Sequence, residues 1–257
     1  MSATKISAVI ITFNEERNIK RCLTSLRGVV DEIVVVDSFS KDKTREICES
    51  FSVRFIQNPF EGHIQQKNYA LTQAENDWVL SLDADEALDS SLRESILNVK
   101  KDFSHKAYQC KRLTNFCGKW IRHTGWYPDR KIRLWNRQIG KWGGQNPHDR
   151  VVLHDGVEIG ELNGDLLHYS FYAIAEHIAQ IQKFSTIAAQ SAYKNGKKAG
   201  LIKNIILGPF YTFFKKFILQ KGFMDGYFGF VISINTAYSK FLKYIKLKEI
   251  QEHANDR

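Results

Sequence analysis

The chain has 257 residues, 43% of them hydrophobic and 25% charged, enough apolar chain for one large domain or a domain with an extension, and not the composition of a disordered protein. The net charge of +9 is uneven: residues 194–248 hold eleven lysines, one aspartate and no arginine or glutamate, which leaves about −1 for everything else. Cys22, Cys48, Cys110 and Cys117 show no C-x-x-C spacing and no signal peptide precedes the first apolar run, so a reduced, cytoplasmic setting is expected.

In chain order, "ISAVIIT" (6–12) reads as a buried strand, and Ile19, Cys22, Leu23 and Leu26 recur at helical spacing after it. "EIVVVD" (32–37) is a second strand, followed by a helix over "KDKTREICESF" that Ser40 can cap. "VRFI" (53–56) and "DWVLSLD" (77–83) are a third and a fourth strand, with a helix across "IQQKNYALTQA" between them. This β-α alternation predicts an α/β protein with a parallel sheet and helices on both faces. Ligands of such sheets sit at the carboxyl ends of the strands. Thr12 with Asn14 and Glu15, Asp37, and Asp83 with Asp85 occupy those ends. Each alone could be a helix cap; their convergence on one edge points to a site.

The first β-α turn, "TFNEE", has no glycine, so neither the Rossmann nor the P-loop phosphate cradle is present, and two glutamates there would repel a pyrophosphate at the helix start. The crowding of Asp83, Asp85 and Glu86 after an apolar run implies a cation that the sequence does not itself supply, Mg²⁺ or Mn²⁺ by the hardness of the oxygens. A haloacid-dehalogenase type phosphatase also carries D-x-D after a strand, but after its first strand; here the pair follows the fourth.

"VIITFNEERNIKRCLTSL", "EIVVVDSFSKDKT", "QQKNYAL" and "WVLSLDADE", in this order, resemble the family 2 inverting glycosyltransferases. "GWYPDRKIRLWNR", "PHDRV", "GELNGDLLHYSF" and "KGFMDGYFGF" are similar to the branch of bacterial lipopolysaccharide core β-1,4-glucosyltransferases. The resemblance covers nearly the whole chain. It implies the GT-A fold, a Rossmann-like, mostly parallel sheet flanked by helices, and a metal-dependent hexosyltransferase. The donor would be a UDP-sugar, UDP-glucose first among them. The acceptor would be a lipopolysaccharide core or other lipid-linked glycan. Thr12 and Asp37 align with positions that hold uracil and ribose. Lys67 falls where the family has a basic residue near the nucleotide, or is a solvated helix lysine. Asp83 would contact ribose or metal, and Asp85 would bind the metal, with His168 as a further ligand or a hydrogen-bonded core residue, and His148 as a weaker candidate. Asp149 is the candidate base that takes the acceptor proton, or it pairs with Arg150 or caps a turn after Pro147. Trp126 is a sugar contact or packing, and Arg130 and Arg133 are phosphate contacts or surface ion pairs. A polyprenyl-phosphate glycosyltransferase and a non-catalytic membrane adaptor are the competing readings.

The domain division drawn from these signals is a catalytic domain over 1–193 and a helical extension over 194–257. The extension interleaves lysines with aromatic residues and has no unbroken apolar run of membrane-spanning length. Helices lying on an anionic membrane surface fit that pattern, with Phe210, Phe213, Phe214, Phe217 and Phe223 beside Lys215, Lys216 and Lys221. The protein would then be peripheral on the inner face of the cytoplasmic membrane. The alternative is a tail packed on the body. Lack of arginine and of any motif speaks against nucleic acid.

Overall fold

Strand Ile6–Thr12 (β1) is apolar and β-branched on both faces and buried apart from half-buried Ile11, as a strand covered by helices on both sides requires. The structure, a computed structural model, describes residues 4–145 and 148–255. After β1 come helix Ile19–Leu26 (α1), strand Glu32–Asp37 (β2), helix Thr44–Glu49 (α2), strand Arg54–Gln57 (β3), helix His63–Gln73 (α3) and strand Trp78–Asp83 (β4). β1 pairs in parallel with β2 and β4, and β2 with β3. There follow Glu86–Leu88 (β5), helix Ser90–Val99 (α4), and strands Ala107–Phe116 (β6), Lys119–Ile121 (β7), Asp129–Asn136 (β8), Gly140–Gln145 (β9), His148–Leu153 (β10) and Ile159–Phe171 (β11).

The sheet runs β3-β2-β1-β4-β8-β6-β11-β5 with β7 added on β6, and β9–β10 forms a separate antiparallel hairpin. β8 joins β4 and β6 antiparallel, and β11 joins β5 antiparallel. The parallel pairing that the alternation predicts is thus the first four strands, and the second half adds antiparallel strands. Side-chain alternation sorts the core into two layers. Ala8 and Ile10 of β1 and Leu80 of β4 pack with Leu23 of α1 and Ile96 of α4. Val9, Val34 and Val79 pack on the other face with Leu71 of α3 and Trp142 of β9.

Two local features depart from periodicity. Ser40 does not cap α2, whose N-cap is Lys43; instead its N–H and hydroxyl both turn back on Asp37. In β11, Gly164 has φ +98°, and a Cβ there would lie 2.2 Å from the Leu92 amide nitrogen. The absence of a side chain lets β11 pass the first turn of α4, where Asp89 accepts from Leu92 N–H at 2.7 Å and from Asp165 N–H at 3.0 Å.

The chain divides into two compact units, one reaching to Leu113 and including Asp129–Tyr169, the other taking Thr114–Pro128 and everything from Ser170. This boundary differs from the one drawn at 194 from the charge shift. Helix Ile174–Lys194 (α5) precedes that shift, yet it packs with the C-terminal helix Gly226–Asn255 (α7) through Ala189, Ala192 and Leu247. Lys246 of α7 also reaches Gln182 O, Ser185 Oγ and Thr186 Oγ1 of α5 at 2.8 to 3.0 Å. Between them, helix Leu207–Phe214 (α6) is flanked by π-helical turns at Leu201–Ile206 and Lys215–Leu219. Phe210, Phe214 and Phe223 are exposed as expected, but Phe213 and Phe217 stack on each other at 5.4 Å and meet Phe230 edge-on. Lys216 turns inward to donate to Thr124 O at 2.8 Å, and burial pushes its ammonium below the usual lysine range.

Candidate active site

Strand register brings the first residues together: Thr12 lies beside Asp37, and Ile11 beside Asp83. These ends form one edge where the strand order turns around β1. Thr12 is buried, and its Oγ1 has no hydrogen-bond partner among the described residues, an orphan that a polar ligand atom would satisfy. Asp37 is fully buried and accepts from Ser40 N–H at 2.9 Å, from the Ser40 hydroxyl, and from Gln57 Nε2 at 3.2 Å. The loops after β1 and β2 are tied together. Asn14, at φ 54°, donates its N–H to Ser40 Oγ and accepts from Lys41 N–H, both at 2.8 Å, and Glu15 N–H donates to Thr44 Oγ1 at 2.8 Å. Burial, with Asp85, Asp42 and Asp83 nearby, raises the Glu15 carboxyl to about 7 against the opposing hydrogen bond from Asn18.

Lys67 is not a solvated helix lysine. It is buried in α3 and its Nζ lies 2.9 Å from Asp83 Oδ1, 2.7 Å from Asp149 Oδ2 and 4.3 Å from the centroid of the Trp142 ring. Through this one ammonium the candidate base on the β9–β10 hairpin meets the end of β4. The side chain of His148, on the same hairpin, lies outside the described residues.

The acids after β4 carry most of their own compensation, which corrects the inference that the cation is wholly missing from the sequence. Glu86 is buried and lies 2.6 Å from Arg133 Nη2 and 3.4 Å from Arg112 Nη1. Arg133 also reaches Asp83 Oδ2 at 3.3 Å. Burial opposes the charge on Asp83, but Lys67 and Arg133 outweigh it and hold its carboxyl far below the usual carboxylate range. Arg133 is therefore an internal counter-ion and not a phosphate contact; Arg130 is exposed, 3.4 Å from Glu161.

Asp85 meets His168 instead, with Oδ2 3.2 Å from Nε2. Antiparallel pairing of β5 with β11 sets this up, and Tyr169 N–H donates to Asp85 O at 2.9 Å. Two ligands of one octahedral Mg²⁺ or Mn²⁺, each at about 2.1 Å, stand roughly 3 Å apart when adjacent, so this carboxylate and imidazole fit such an ion. Among the described residues no group of three or more His, Cys, Asp or Glu could hold a metal. The protein share of a cation site would be two side chains, with water and phosphate oxygens for the rest.

Trp126 belongs to the second unit, where its ring meets Phe116 at 5.9 Å and His177 at 5.8 Å. Packing is the role its contacts describe. The sequence named Glu86 and Arg133 without pairing them, and it passed over Gln57, Phe13 and Phe39; the two phenylalanines flank Thr12 and Asp37 and are 55% and 50% exposed. Large apolar rings left in water at a strand-end site were the available signal.

Among solved structures, TarS 1–349 of S. aureus in complex with UDP-GlcNAc aligns over 98% of this chain and 92% of that chain, at 16% identity and a TM-score of 0.49. An uncharacterized glycosyltransferase of Rickettsia bellii is 34% identical over 262 residues, covering 98% of this chain and 88% of its own length. The lipopolysaccharide core biosynthesis glycosyltransferase LpsC of Rhizobium meliloti is 30% identical over 256 residues, 97% of this chain and 93% of its own. The family model for glycosyl transferase family 2 matches residues 7–157, more than half of the chain and nearly every residue of the strand-end site. By that match and by the relatives in Rickettsia bellii and Rhizobium meliloti, the chain belongs to glycosyl transferase family 2.

Proposed function

We propose that this protein is an inverting hexosyltransferase that moves a sugar, glucose as first candidate, from a UDP-sugar to a lipopolysaccharide core or related surface glycan. The observation that carries the reading is the Lys67 ammonium shared by Asp83 and Asp149, which sets a second-half carboxylate at the strand ends. The orphaned Thr12 Oγ1, buried Asp37 and exposed Phe13 and Phe39 suit a uridine. The likeness to LpsC supports the acceptor class.

In this reaction an Asp149 oxygen accepts the proton of the acceptor hydroxyl while that hydroxyl oxygen bonds the anomeric carbon. The carbon's bond to the diphosphate oxygen breaks, and its electron pair leaves with UDP. Lys67 fixes the position of Asp149. A divalent cation held by Asp85 and His168 would supply neutralisation of the diphosphate charge. Asp149→Asn is expected to lower turnover about 10²- to 10⁴-fold with UDP affinity retained, measured as UDP release from a panel of UDP-sugars with truncated lipopolysaccharide acceptors. Near-normal turnover would move the base elsewhere. Asp85→Asn is expected to remove the part of UDP binding that Mg²⁺ or Mn²⁺ stimulates; unchanged stimulation would remove Asp85 from the cation site.

The working location in this reading is the inner face of the cytoplasmic membrane, reached by the second unit. Among the described residues no helix is long and apolar enough to cross a membrane. Phe210, Ile202 and Tyr227 are 72%, 67% and 66% exposed, in a unit that also leaves Lys203, Lys215 and Lys221 in water. That combination suits an interfacial helix on anionic lipid.

A further inference from the structure

The first unit holds a second concave site, a cavity of 450 Å³ between α1 and the β5–β11 strand pair. Arg17, Lys20 and Arg21 line one side, and Leu88, Leu167 and Tyr169 the other; among the described residues no acidic one lines it. Arg17 stands in the turn before α1, and Lys20 and Arg21 in the first turn of that helix. Arg21 is set in place: its guanidinium lies 3.6 Å from the centroid of the Tyr169 ring and its Nη1 donates to Asn18 Oδ1 at 3.2 Å.

The cavity is built on the same strands as the candidate cation ligands. Leu167 and Tyr169 bracket His168, and Leu88 comes three residues after Asp85. Thr12, Asp37 and the loops tied to them, which suit the nucleotide, lie at the ends of other strands. A glycan acceptor is longer than its reacting hydroxyl, so its remaining groups need a site beyond the donor's. Resting on the transfer reaction proposed above, we propose that this cavity binds a phosphate group of the acceptor and so anchors it. Arginine forks match phosphate oxygens in pairs, and lysine adds a point charge. The phosphate could be carried by the glycan or by a lipid headgroup; the chemistry recognised is the same.

The test uses the full chain, with Lys20→Ala and Lys20→Glu, at an exposed position of α1. Three probes are titrated: a lipid-free phosphorylated core oligosaccharide from truncated lipopolysaccharide, the same oligosaccharide after dephosphorylation, and phosphatidylglycerol vesicles. We expect the variants to bind the phosphorylated oligosaccharide roughly tenfold or more weakly, as loss of charge-assisted contacts implies. Wild type should bind the dephosphorylated form as weakly, and UDP affinity should not move. A loss confined to the vesicle arm would keep phosphate binding and assign its source to the lipid headgroup. Unchanged binding in both arms, or a fall in UDP affinity that makes the cavity part of the donor site, would overturn the proposal. The readouts are binding, so a protein that turns over no UDP-sugar would lose the transfer reading without deciding the cavity.

Discussion

Lys67 holds two carboxylates from distant parts of the chain, and removing its charge leaves both without their closest cation. Breaking a buried pair by deleting one partner costs about 3–5 kcal/mol. Lys67→Met is expected to lose that much in urea denaturation, and to lower turnover more than UDP affinity because Asp149 is no longer positioned. A variant with unchanged stability would show that the two acids find other partners. Glu15 makes a pH prediction. Its folded pKa is raised to about 7, so the folded state binds the extra proton. Its contribution is fully present below the ordinary glutamate pKa of about 4.3 and is lost as pH rises to about 7. Glu15→Gln should therefore match wild type at pH 4.5 and be more stable at pH 8, by on the order of 1–3 kcal/mol, in metal-free protein. Equal midpoints at pH 8 would remove the buried-acid account. At this scale the sequence showed that the acids cluster but not what compensates them. Arg112 and Arg133 come from strands 26 and 47 residues beyond Glu86, and linear spacing does not say which arginine folds beneath an acid and which meets solvent.

The elements of the first half were legible because β1, β2 and β4 are apolar runs buried for most of their length and α1 repeats its apolar residues at helical spacing. The antiparallel strands β6, β8 and β11 were not, since mixed polar and apolar strands carry no signal as strong as a run such as "EIVVVD". The site divides in the same way: Thr12, Asp37, Asp83 and Asp85 follow from strand ends alone, whereas Asp149 and His168 rested on a resemblance. "KGFMDGYFGF" was legible only as a family likeness, and the structure makes it a joint. Lys221 sits at φ 54°, and buried Asp225 accepts from His123 N–H at 2.8 Å. A Cβ on Gly229, in the first turn of α7, would lie 1.9 Å from Gly222 O. Backbone cannot yield there as a flexible side chain could, so Gly229→Ala is expected to destabilise the second unit by at least about 1–3 kcal/mol. Hydrogen exchange of α5 and α7 would register the loss, and unchanged protection would mean that the joint opens without cost.

Over the whole molecule the charge is divided: 194–248 carries +10 in a chain of net +9. The structure qualifies that number, because Lys216 and Lys246 are used inside the second unit, while Lys197, Lys198, Lys203, Lys215 and Lys221 are exposed. Near an anionic surface each contributes roughly 1 kcal/mol, and salt screens it. The apolar share is not screened, and full burial of a phenylalanine is worth about 1.5–3 kcal/mol. The two contributions therefore separate experimentally. Lys215→Glu/Lys221→Glu should weaken binding to phosphatidylglycerol vesicles about tenfold or more at low salt and little at high salt. Phe210→Ser should weaken it about tenfold at both, and neither change should alter UDP affinity. The same exposed face could be covered by a second copy of the chain. Sedimentation gives that alternative its own signature: a concentration-dependent dimer broken by Phe210→Ser, with no vesicle binding at low salt, would replace the membrane with the partner copy.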